Sequence, residues 1–126
     1  MAGSVALASA RVGGGITRHR LTWVSDAAGV VSGNAVSLPT GELLQVGYTP
    51  DGGGTAPTDL YDLTMTDPDG ADALAGTGAN LSGTVAAKVV PVISTSFRRW
   101  FWSGSYTLVA ANAGNAKGGT VDLYMR

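Results

Sequence analysis

Short stretches in which apolar and polar residues alternate recur along this chain, each closed by a cluster of Gly, Pro, Asn or Asp. No stretch of helical period is long enough to cross over a parallel sheet. Alternation buries every second residue of a strand, so the chain is committed to antiparallel sheets that cover one another's apolar faces. With 126 residues there is room for one such domain. About seven or eight strands at this spacing predict an all-β fold, an antiparallel β-sandwich or a jelly-roll-like barrel.

The segments can be placed individually. Ile16 to Val24 sets Thr17, His19, Leu21 and Trp23 on one face, and Arg18, Arg20, Thr22 and Val24 on the other. Residues 25–29 read as a turn in which Asp26 accepts local backbone N–H groups. Val30 to Leu38 is a short, weakly apolar strand ended by Pro39-Thr-Gly41. Glu42 to Thr49 is stronger, with Leu44, Val46 and Tyr48 on one face. A loop with three successive glycines, Pro50 to Pro57, leads to Thr58–Thr66, where Tyr61, Leu63 and Met65 share a face. Asp67-Pro-Asp-Gly70 makes a tight turn, and a short helical turn is expected around Ala71–Leu74. Thr84 to Ile93 is β-forming, with Pro91 demanding an edge or a bulge. Tyr106 to Ala110 and Thr120 to Arg126 complete the set, the last with Val121, Leu123 and Met125 inward.

Ahead of this domain, residues 1–15 are small and weakly patterned and end in Gly13-Gly14-Gly15. They lack the basic start and unbroken apolar run of a secretory signal. They are read as a flexible N-terminal arm, either disordered or ordering against a partner, and residues 16–126 as a single β domain.

Composition narrows the chemistry. Eight Lys and Arg against nine Asp and Glu leave a net charge of −1, so neither nucleic acid nor a membrane surface is an expected partner. No cysteine is present for a disulfide, a thiolate metal site or thiol catalysis, and the single histidine, His19, cannot form a His pair. A Ser–His–Asp reading would have to use His19 between Arg18 and Arg20, two cations that oppose an imidazolium. No Gly-x-Ser-x-Gly elbow and no P-loop occurs. The expectation is a non-enzymatic chain with no cofactor.

Two motifs remain. Asp67-x-Asp69-Gly70-x-Asp72 could aim carboxylates at a hard cation, but a Pro-Asp-Gly turn accounts for the same residues without an ion. Phe97-Arg98-Arg99-Trp100-Phe101-Trp102 carries large aromatics on both faces if extended. One face can fill the core, and the other needs a cover. Trp, Phe and Arg are typical of protein interfaces, so these six residues are the candidate contact to a neighbouring subunit. A two-sided core strand with snorkelling arginines, or a stacking platform for single-stranded nucleic acid, are the competing readings.

Four phrases resemble small structural proteins of tailed bacteriophages: Trp23–Gly29, Pro57–Leu63, Asp67–Ser82 and Asn112–Gly119. The resemblance covers roughly residues 16–126 and is one of phrase order, with no active-site signature. It implies a capsid decoration, or cement, protein that binds between subunits of the major capsid protein and stabilises the shell. It further implies a homo-oligomer, commonly a trimer, assembled in the host cytoplasm and ending on the virion surface. A head–tail adaptor, a tail accessory protein or a host-surface binding module is the alternative, with loops 50–57 and 112–119 then carrying recognition.

Overall fold

The computed structural model describes residues 3–90, 99–101 and 103–126, with the backbone alone described for 32–34 and 99–101. Among these residues nine strands form: β1 (Ser4–Gly13), β2 (Ile16–Val24), β3 (Val31–Leu38), β4 (Gly41–Pro50), β5 (Asp62–Thr66), β6 (Ala87–Val89), β7 (Arg99–Phe101), β8 (Gly104–Ala111) and β9 (Gly118–Met125). A 3₁₀ turn, Gly53–Thr55, interrupts the loop after β4. The larger sheet runs β1-β2-β9-β4-β6, with β7 also paired to β4, and the smaller runs β3-β8-β5. All pairings are antiparallel.

The fold is a two-sheet, sandwich-like structure, and the closed barrel is not formed. Leu21, Trp23, Val46, Tyr48, Val121 and Leu123 of the larger sheet meet Val31, Leu63, Met65, Tyr106, Leu108 and Ala110 of the smaller in one buried cluster. Trp23 is fully buried and lies against Tyr61, with ring centroids 5.5 Å apart at 41°, a tilted aromatic contact joining β2 to the entrance of β5. Burial pushes the Tyr48 and Tyr61 hydroxyls up to about 12, so both rings are held neutral.

The expected N-terminal arm is instead a strand of the domain. From Ser4↔Val24 to Arg11↔Thr17, β1 pairs with β2 residue for residue. Gly14 and Gly15 have φ of +61° and +74°. Positive φ at both central residues is what a two-residue type I′ hairpin turn requires. The glycine run is therefore a tight turn and no flexible joint. Val5 and Leu7, opposite Trp23 and Leu21, pack half-buried against the core and fix the hairpin's register.

Other boundaries shift for local reasons. In β4 the register slips between Leu43 and Gln45, so Leu43 turns inward and the expected alternation of Leu44 is broken. Of the strand expected over 84–93, Ala87–Val89 pairs with β4, and residues 91–93, Pro91 included, lie outside the described residues. Residues 71–83 form turns, and the expected helical turn at Ala71–Leu74 is not formed.

Candidate functional site

The segment 67–83 folds over the free side of β5 and is built from aspartates. Asp67 Oδ1 accepts the N–H groups of Asp69 and Ala71, both at 2.9 Å. Asp72 Oδ1 accepts Met65 N–H and Leu74 N–H, each at 3.0 Å, while Oδ2 accepts Gly76 N–H at 2.9 Å. Asp62 takes Asn80 N–H and Asp59 takes Gly83 N–H. Backbone bonds complete the cover: Leu63 N–H to Gly78 O at 2.7 Å, Ala73 N–H to Met65 O at 2.7 Å, and Leu81 N–H to Tyr61 O at 2.8 Å. Beneath it, Ala73, Leu74 and Leu81 are buried. Thr77 Oγ1 donates to Leu74 O, which leaves it to accept from Tyr48 Oη, both at 2.7 Å. Asp67 and Asp72 thus spend their carboxylates on backbone amides, as the turn reading required. No trio of His, Asp or Glu among the described residues is arranged to hold a metal ion.

At one end of the sandwich a recess of about 120 Å³ is lined by Gly15, Thr17, His19, Pro39, Thr40, Gly41, Met125 and Arg126. Small-molecule sites are commonly ~300–1,000 Å³, so this one has room for little more than water or a small ion. Its wall is clipped shut where Glu42 and Arg126 exchange backbone bonds at 2.9 and 3.1 Å and pair through their side chains at 3.2 Å. His19 Nδ1 lies 2.7 Å from Ser9 Oγ. This hydroxyl–imidazole pair lies across the β1–β2 ladder, where Ser9 and His19 are register partners.

Burial holds the His19 imidazole below its ordinary 6.5. As pH falls through 6.5 the unfolded chain therefore takes up the proton before the folded one. The stabilisation from neutral His19 is present above that pH and is lost on acidification. Between about pH 8 and about pH 5, the fall in urea midpoint should be smaller for His19→Gln than for the parent chain. Equal falls would show that His19 contributes nothing to the acid limb.

On the outer face of the larger sheet, Arg20 and Asp122 are also register partners. Arg20 Nε donates to Oδ1 at 2.7 Å and Nη2 to Oδ2 at 2.9 Å, a two-pronged pair over a carboxylate that is otherwise buried. Sequence reading could not find this pair, because only the β2–β9 register brings positions 102 residues apart together.

Of the six interface candidates, Phe97, Arg98 and Trp102 lie outside the described residues. Arg99, Trp100 and Phe101 form β7, opposite Leu43, Glu42 and Gly41 of β4. Compared with known proteins, the chain matches no family model, no curated protein and no solved structure.

Proposed function

We propose that this chain is a structural protein of a tailed-phage virion, a decoration protein seated between major capsid subunits that stabilises the shell. The four phrases that carry the resemblance are hydrogen-bonded to one another, and that observation carries the reading. Ser25 N–H binds Lys117 O at 2.7 Å, Ser25 Oγ donates to Gly114 O at 2.6 Å, and Ala116 N–H reaches Asp26 O at 3.2 Å. Thr58 N–H binds Ala113 O at 2.8 Å and Leu60 N–H binds Leu81 O at 2.9 Å. Phrases distant in sequence thus form one interlocked loop system, which supports reading them together as one structural unit. The loops' polar groups serve the scaffold, which suits a protein that acts by being in place.

Quantitative mass spectrometry of purified particles of the phage encoding this chain should find hundreds of copies, in fixed ratio to the major capsid protein. A dozen or fewer copies would indicate a junction or tail component. Its absence from particles would end the proposal.

A further inference from the structure

The two sheets have four outer edges, and the chain treats them differently. The β5 edge is sealed by segment 67–83, whose amides and aspartates take up its backbone groups. The edge beyond β4 is made of two short strands, β6 with Lys88 at its centre and β7. The β3 edge is broken by a register shift between Val31 and Asn34. Cover, a short charged strand and an irregularity are the usual devices that keep a sheet edge from pairing. The remaining edge, β1, comes near β3 at its start, where Gly3 abuts Val30 and Val31, but from Ser4 to Ala10 it carries no cover strand, charge or irregularity among the described residues.

From Ser4 to Arg11 the β1–β2 ladder is regular, and its first shift comes only between Arg11 and Gly13. No charged residue stands between Ser4 and Ala10. Ser4, Ala6, Ala8 and Ala10 are exposed, and Val5 and Leu7 on the other face are only half-buried. Among the described residues, hydrogen bonds to the strand come from β2 alone, so the backbone groups of alternate β1 residues point outward unmatched. Such an edge takes a strand.

We propose that the strand it takes is β1 of a second copy of this chain, antiparallel across a twofold axis, which makes the two larger sheets continuous. The occupant follows from the symmetry of the strand's own pattern. A twofold axis perpendicular to the sheet keeps inner faces inner, so directly opposed residues must share a face. Centred on Leu7, the pairing sets Leu7 against Leu7, Val5 against Ser9, Ala6 against Ala8 and Ser4 against Ala10. The half-buried aliphatics then complete one another's cover. The other face of the seam brings together only small side chains, and no like charges are opposed. Arg11 falls outside these pairs.

The pairing is a property of the free chain, so it can stand or fall independently of the virion count. Sedimentation of the full chain should show a shift with rising concentration from the 12.7 kDa monomer to twice that mass. Ala6→Lys combined with Ala8→Lys places added ammonium groups of the two copies opposite one another. That variant should stay monomeric with an unchanged circular dichroism spectrum, and mixing it with the Ala6→Glu/Ala8→Glu variant should restore a mixed dimer. Hydrogen exchange on the unaltered chain gives a second reading that needs no variant. Alternate amides within 4–10 should gain protection as concentration rises. A parent chain that remains at monomer mass up to millimolar concentration would overturn the proposal. So would an oligomer, dimer or trimer, that the lysine variant leaves intact, or association without added protection in β1.

Discussion

Trp23→Ala should destabilise the domain by about 3–5 kcal/mol, whereas Trp23→Phe should cost clearly less. The indole is fully buried and rests on Tyr61, so truncation opens a cavity between β2 and the start of β5. A domain of this kind is stable by only ~5–15 kcal/mol, so the alanine variant gives up a large share of the total. The phenylalanine variant loses one ring but also removes the indole N–H, which is buried with no hydrogen-bond partner among the described residues. An unmatched buried donor costs about 1–3 kcal/mol, and its removal offsets part of the lost packing. Both variants lack the indole N–H, so urea unfolding compared at equal slope reads the packing that the phenyl ring retains as the difference between them. Equal losses in the two would mean that an aromatic ring at position 23 does not fill the space between β2 and the start of β5.

Sequence alternation was informative where large side chains stay in phase. The bounds and inner face of β2 follow from Leu21 and Trp23, and Asp26 does accept Ala28 and Val30 N–H, as a turn residue there should. Tyr61, Leu63 and Met65 turn inward together, as do Val121, Leu123 and Met125. The same logic failed where contrast or phase was lost. From Ser4 to Ala10 the exposed positions of β1 are Ala and Ser, so the strand has little polar contrast and looks like a tail. The glycines after it suit either a loose joint or a type I′ turn, and only pairing distinguishes the two. In β4 an extra residue at the bulge inverts the phase, putting Leu43 where Leu44 was expected. The open edge of β1 and the Arg20–Asp122 pair depend on which strands are neighbours, and no local pattern encodes that. The aspartates of 67–72 were legible as turn residues, yet their use as clasps on β5 depends on how far segment 67–83 folds back.

Those clasps define the second large effect. Asp72→Ala should lower stability by about 2–4 kcal/mol, because it leaves three backbone N–H groups without their acceptor. The N–H groups of Met65 and Leu74 lie where water has restricted access, while that of Gly76 is exposed and can turn to solvent. Most of the loss should therefore come from the first two. Asp72→Asn keeps one carbonyl oxygen for them and gives up only the second acceptor, so its loss should be smaller. The damage should also be local at first. Amides of Met65, Leu74 and Gly76 should exchange faster, while those of β2 and β9 keep their protection. Lifting 67–83 exposes the β5 edge, which in the intact chain is the most thoroughly covered of the four. The alanine variant should consequently associate through a route that Ala6→Lys/Ala8→Lys does not block, since that pair acts on β1 alone. If Asp72→Ala unfolds uniformly, with β5 no more exposed than β2, segment 67–83 is part of the cooperative core and is not a separable cover.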